Sequence, residues 1–214
     1  MATTKIAEPG AVLSATKALH ERWVFERRAR VLAALLAERI PEGASVLDVG
    51  CGNGVIAHLI TELKPSVRFR GLEVTARPSC LIECDVFDGS KLPLADNSVD
   101  LCMFVDVLHH THTLNIEGLL REARRVARRG VLIKDHLCEN RFHHAVLAFM
   151  DWVGNRAHGV RLPYNYQSRD AWAGHFAAAG LRMARWTERV PLYPPPFSVI
   201  FGRGLHFVGQ LERL

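Results

Sequence analysis

The nine residues VLDVGCGNG, Val46 to Gly54, constrain this chain more than any other stretch of it. Ser45 to Val49 is a short apolar run that reads as a buried strand, and Gly50 to Gly54 is a glycine loop. Ile56, Leu59, Ile60 and Leu63 then recur at helical spacing until Pro65 stops them. A helix that opens straight out of a loop leaves its first N–H groups unbonded and aimed at that loop. Glycines there let the backbone turn tightly and lie close against a ligand. A plain strand-to-helix turn needs neither Gly50, Gly52 and Gly54 together nor an acid at Asp48. The segment therefore reads as a ligand loop, with Asp48, Gly50, Cys51, Gly52, Asn53 and Gly54 as candidate contacts. Cys51 reads as a small packing residue rather than a nucleophile.

The rest of the chain repeats the strand–helix rhythm. Residues 12–40 read as a helix with Val24, Val31, Leu32, Leu35, Leu36 and Ile40 on one side, ended by Pro41 and Gly43. Strands are expected at Val67 to Glu73, Leu81 to Phe87 and Val99 to Val105. A helix over 114–128 then leads through Gly130 to a strand at Val131 to Lys134. Alternation of this kind implies a parallel sheet covered on both faces. Further helices are expected at 139–153 and at Ser168 to Ala179, with a loop at Gly154 to Tyr166 between them. Strands at Leu181 to Val190 and Ser198 to Val208 are joined closely enough to pair antiparallel. The fold class is thus α/β, a Rossmann-like, doubly wound, mostly parallel sheet ending in an antiparallel hairpin.

The spacing of the glycines distinguishes between ligands. A dinucleotide fingerprint would place Gly or Ala at position 55, where Val55 stands. The pattern G-x-G-x-G, with an acid two residues before its first glycine, instead resembles motif I of class I S-adenosylmethionine-dependent methyltransferases. The resemblance runs over residues 44–136 and is nearest to the ubiquinone-biosynthesis-type branch, the methyltransferase type 11 domain. It implies S-adenosyl-L-methionine as methyl donor, with Glu73, at the end of GLEV, on the two ribose hydroxyls. A carboxylate suits a diol because it accepts two hydrogen bonds. The family's adenine contact is an acid five residues before the proline of LP, which selects Asp88 given Pro93; Asp85 is the alternative. The stretch DVLHH, with Asp106, His109 and His110, falls where the family lines the methionine and acceptor side. One departure stands out: the family places a helix between Glu73 and the third strand, and VTARPS leaves no room for it.

The resemblance makes 1–214 a single domain. Residues 12–40 form an N-terminal helical cap, 44–136 the donor-binding core, 137–166 a substrate-side cap, and 167–214 a helix and hairpin. The candidate catalytic residues are His109, His110 and His136, each a general base or a substrate contact, with a solvated loop histidine as the competing reading. No HExxH or spaced acid accompanies them, so no metal is expected. The cysteines (Cys51, Cys80, Cys84, Cys102, Cys138) are odd in number and scattered, as reduced thiols are. Neither a secretory leader nor an apolar run of membrane-spanning length is visible, and a cytoplasmic protein is expected.

The net charge of +5 raises nucleic acid as a partner. The arginines of REARRVARR, however, oppose an apolar stripe of Ile116, Leu119, Leu120 and Ala123, as a solvated outer face would. The expected acceptor is a small, apolar or aromatic molecule, roofed by Phe142, Phe149, Met150, Trp152, Tyr164 and Tyr166. A homodimer hiding the apolar AVLAFMDWV segment is the alternative use of that face. An RNA or protein methyltransferase, and a non-catalytic donor-binding protein, are the competing functions.

Overall fold

A computed structural model describes residues 25–75, 77–111, 113–155, 163–188, 190–195, 197–202 and 204–214. Part of the expected first helix, residues 12–24, and His112 lie outside these. A seven-stranded sheet runs in the order β3-β2-β1-β4-β5-β7-β6. The strands are β1 (Ser45–Val49), β2 (Arg68–Glu73), β3 (Cys84–Val86), β4 (Val99–Val105), β5 (Ala127–His136), β6 (Leu181–Glu188) and β7 (His206–Arg213). The first five pair parallel, and β7 is antiparallel to both β5 and β6. The expected doubly wound sheet with an antiparallel end is therefore present.

Strand alternation sends apolar side chains to both faces. Leu47, Val49, Cys102, Phe104, Val131 and Ile133 face one core with Ile116, Leu120 and Ala123 of α3 (Thr113–Val126) and Trp172 and Phe176 of α5 (Arg169–Ala178). Val46, Leu101, Met103 and Leu132 face the other, against Leu32, Ala33 and Leu36 of α1 (25–37) and Ile60 of α2 (Val55–Leu63). Such two-sided burial is what makes parallel strands read as continuous apolar runs. α4 (Arg141–Asn155) follows β5.

Two expected elements differ. Ser198 to Val208 is not a strand: Ser198–Phe201 is a single helical turn, α6, and the strand runs His206–Arg213. Val199 and Ile200 are about half exposed, and Gly204, at φ 72°, breaks the run. Pairing with β5 instead selects HFVGQL, whose Phe207, Val208 and Leu211 are fully buried. The third strand is also shorter than Leu81 to Phe87. β3 is an edge strand paired on one side only, over Cys84–Val86, and Leu81 is exposed. No helix is described in the connection over 74–83, in keeping with the crowding at VTARPS.

Candidate active site

The glycine loop sits at the carboxyl end of β1, where the crevice of an open α/β sheet lies. It is drawn down onto β2, the Gly50 and Cys51 amides both donating to the Leu72 carbonyl (2.7 and 3.2 Å). Gly50 has φ 73°, and a Cβ there would lie 2.6 Å from Val107 Cγ2, so only glycine lets the loop pass. Gly52, at φ 59°, would point a Cβ into open space, with nothing within 4 Å. Gly50 is thus a packing requirement, whereas Gly52 leaves a bare backbone surface facing the crevice. Gly54 caps α2, and Asn53 holds the 74–83 connection through its carbonyl, which accepts from Leu81 N (2.9 Å).

Register decides where the acids point. Asp48 pairs with Gly71, and Glu73 lies two residues further along β2, so both carboxylates leave the sheet on one face. Both are buried, at 2% and 8% exposure, although their strand ends are polar positions. Burial, reinforced by the charge of Glu73, pushes Asp48 up to about 7. Arg77 Nε approaches Glu73 Oε2 at 3.5 Å. Asp85 stands opposite Leu72, hence on the other face from Glu73, and is paired with Arg70 (2.7 Å). Asp88 Oδ1 accepts from the Ser90 and Lys91 amides (2.8 and 2.9 Å), which fixes its turn and holds its carboxyl below the usual range.

A second constellation gathers at the ends of β4 and β5. Asp135 is fully buried and accepts from Leu108 N (3.0 Å), His136 N (2.7 Å) and His109 Nδ1 (2.6 Å). His109 Nε2 faces Asp151 Oδ2 of α4 at 3.5 Å, and Tyr166 donates its hydroxyl to the same oxygen (2.5 Å). Burial opposes charging His109, but Asp135, Asp151 and Asp106 outweigh it and raise its pKa. The same contacts hold the Asp135 carboxyl well below its usual range against the cost of burial. His136, 3.2 Å from His109 between the ring nitrogens, is pushed the other way by burial and by the His109 charge. His110, half-buried beside His109, is lowered for the same two reasons.

Asp106 ends β4 at φ 57°, a left-handed conformation that aspartate tolerates better than most residues. Its carboxylate pairs with the fully buried Lys134 ammonium, and that charge with His136 and His109 brings it to about 2 despite burial. Lys134 also lies 3.4 Å from His206 Nδ1 at the start of β7. Asp106, His109, Asp135 and His136 offer atoms close enough together for a metal. Asp135 already takes three N–H donors, however, and Lys134 supplies the cation Asp106 needs, so the donor set fits a hydrogen-bonded network better.

The structure thus brings Asp48, Glu73 and the glycine loop together, and separately Asp106, His109, His110 and His136. Asp85 lies on the opposite face of the sheet from Glu73, and Asp88 stands in the turn after β3. Of the expected roof, Tyr166 lies against His109 and His136, with ring centroids 5.8 and 5.7 Å away. Phe142, Phe149 and Trp152 are exposed on the outer side of α4. Lys134, Asp151 and His206 were missed. Charged or polar residues inside the apolar runs VLIKDH, AVLAFMDWV and LHFV were the visible signal for each.

Sheet order and glycine loop give the chain a Rossmann-like fold that it shares with solved methyltransferase structures. More particularly, residues 47–133 match the family model described as Methyltransferase domain. No curated protein matches the chain significantly in sequence. Among solved structures, the chain is similar to a putative methyltransferase of Haloferax volcanii in complex with the Trm112 methyltransferase activator. That match has 18% identity and a TM-score of 0.64, over 88% of this chain and 91% of the other. It is similar to the mitomycin 7-O-methyltransferase MmcR at 20% identity and TM-score 0.63, covering 97% of this chain but 59% of MmcR. A methyltransferase of Mesorhizobium loti gives 17% identity and TM-score 0.61 over 84% and 96% of the two chains. Among the described residues, no helix is long and apolar enough to cross a membrane.

Proposed function

We propose that this chain is a class I S-adenosylmethionine-dependent methyltransferase acting on a small, apolar or aromatic molecule bound between the glycine loop and the residues of 137–166. The observation that carries the reading is the buried Asp135–His109–Asp151–Tyr166 network. It links the end of β5, the turn after β4, α4 and the loop before α5 through one cluster of polar side chains. Pockets for small ligands have this make-up, apolar surroundings with a few fixed polar groups. The arginines of α3 and of the start of β5 speak against nucleic acid. Arg125 is spent on Glu122 and Asp96, Arg128 on Asp100, and Arg121 lies beside Glu117. MmcR, a mitomycin 7-O-methyltransferase, shares the fold and supports the same reading.

The donor set fits S-adenosylmethionine. Gly52 leaves backbone uncovered at the head of α2, and Glu73 offers a buried carboxylate beside it. Asp48, Gly50, Cys51, Gly52, Asn53, Gly54 and Glu73 would hold the donor, with Asp88 toward the adenine and Asp106 toward the methionine end. The donor supplies a methyl group already activated on cationic sulfur, so the protein's work is alignment and exclusion of water. Asp135 fixes the His109 ring, and His109 in turn fixes Asp151 and Tyr166. Where the accepting atom carries a proton, His110 receives it, being the ring of the cluster that is both partly exposed and kept neutral.

The test is a methyl-transfer assay with labelled donor against a panel of hydroxy-aromatic and other small molecules, bulk RNA and cell protein. Transfer to a small molecule is expected, with His110→Gln lowering kcat more than it raises KM. Transfer confined to RNA or protein would overturn the proposal.

A further inference from the structure

The geometry points to a thiophilic metal site, of the zinc(II) class, formed by Cys51, Cys80 and Cys84 beneath the glycine loop. The three residues come from three different segments: the loop after β1, the 74–83 connection and the edge strand β3. Their sulfurs nonetheless all lie within 4.8 Å of one another, and Cys51 and Cys84 are 3.4 Å apart. Zinc–sulfur bonds of about 2.3 Å at tetrahedral angles set sulfurs about 3.8 Å apart, a value these separations bracket.

The surroundings are built closely around the sulfurs. A Cβ on Gly71 would meet Cys51 Sγ at 2.5 Å, so that residue of β2 must be glycine for the thiol to fit. A Cβ on Gly54 would lie 3.1 Å from Cys80 Sγ. The connection that carries Cys80 has no described helix, and its Val74 and Leu81 are exposed, so little apolar burial fixes it in place. A metal tying Cys80 to Cys51 and Cys84 would do so, and would brace the loop that meets the donor. All three residues are partly exposed, which gives an ion a way in and leaves a fourth ligand position to water. Binding releases the thiol protons and involves no change in oxidation state.

The experiment uses the full chain, free of any affinity tag, reduced, stripped with a chelator and titrated with cobalt(II), then with zinc(II). One cobalt per chain is expected, with the near-ultraviolet thiolate charge-transfer absorbance, and zinc should displace it. Cys80→Ser, in the exposed connection, should weaken binding by at least about 100-fold, more than the loss typical of a change outside the ligand set. Cys84→Ser should do the same, and circular dichroism checks that both remain folded. Cys138→Ser should leave stoichiometry and affinity unchanged. No binding, binding that survives Cys80→Ser, or a Cys51–Cys84 disulfide in place of metal uptake would each overturn the inference. The readout is metal content and spectrum, so it stands apart from any failure of the methyl-transfer assay.

Discussion

Gly50 and Gly52 are two residues apart in one loop, yet the structure gives them opposite reasons for being glycine. Alanine at either must hold a left-handed backbone, which costs a residue with a Cβ about 1–2 kcal/mol. At Gly52 nothing further is added, because its Cβ would meet no atom within 4 Å. At Gly50 the new carbon would stand 2.6 and 2.9 Å from the two Val107 methyls, an overpacking worth about 1–3 kcal/mol more. Gly52→Ala should therefore lower Tm by roughly 2–8 °C for a chain of this size, and Gly50→Ala by distinctly more. Shortening the neighbour in Gly50→Ala/Val107→Ala should return the packing part but not the backbone part. Donor affinity should follow the reverse order relative to stability. Gly52→Leu, whose side chain fills the bare surface, should weaken S-adenosylmethionine binding at least tenfold, about 1.4 kcal/mol, while the domain stays folded. Calorimetric titration with donor, beside chemical denaturation of each variant, measures both quantities. Wild-type affinity in Gly52→Leu would refute the placement of the donor against this loop.

Other expectations follow from the same geometry. Glu73→Ala should weaken donor binding by about 1–3 kcal/mol, the scale of leaving polar partners unpaired, and an unchanged dissociation constant would remove Glu73 from the site. Asp48 is raised to about 7, so its ionisation costs stability that is intact below about pH 4 and lost as pH climbs through 7. Asp48→Asn should then gain on the wild type between pH 5 and pH 8 in urea denaturation, and a pH-independent difference would contradict this. Asp135→Asn strips the partner from a buried imidazolium and should cost about 3–5 kcal/mol near pH 6. Asp135, held low, loses its contribution as pH falls below the ordinary carboxyl range, and His109, held high, loses its own as pH rises past its folded value. The gap between wild type and variant should hence narrow at both ends of a pH series, and a flat gap would show that the two groups are not charge-coupled.

Much of the fold was legible because it depends on local pattern. Strand β1, the glycine loop and α2 each obey a short-range rule, and so does the alternation that dictates a covered parallel sheet. The register of β7 was not legible in the same way. Apolar residues recur along SVIFGRGLHFV from Val199 to Val208, and only pairing with β5 selects which part becomes strand. The donor loop could be read because its residues are contiguous. Cys51, Cys80 and Cys84 could not be read as a group, because their proximity depends on how β2 and β3 align. Asp85 illustrates the limit from the other side. The sequence spacing offers it beside Asp88, but a period of two along β3 turns it away from Glu73 and toward Arg70.

The antiparallel end of the sheet has a consequence for the site. Parallel strands β4 and β5 deliver their last residues, Asp106 and Asp135–His136, to the crevice end of the sheet. A further parallel strand would deliver only its own last residues there. Because β7 runs the other way, its first residue meets β5's last, His136 opposite His206. The buried ring of His206 then lies against Lys134, and that positive charge, after burial itself, drives its pKa well below the usual histidine value. A neutral imidazole in that place can accept from Lys134 without adding charge, while Asp106 supplies the anion that pairs with the ammonium. Asp151 and Tyr166 reach the cluster from α4 and from the segment before α5, so together with His206 three separate parts of the chain after β5 contribute a polar group to it. In the proposed function, the tail that departs from the strand–helix rhythm completes the acceptor side, while the proposed donor contacts all come from the chain between β1 and the turn after β4.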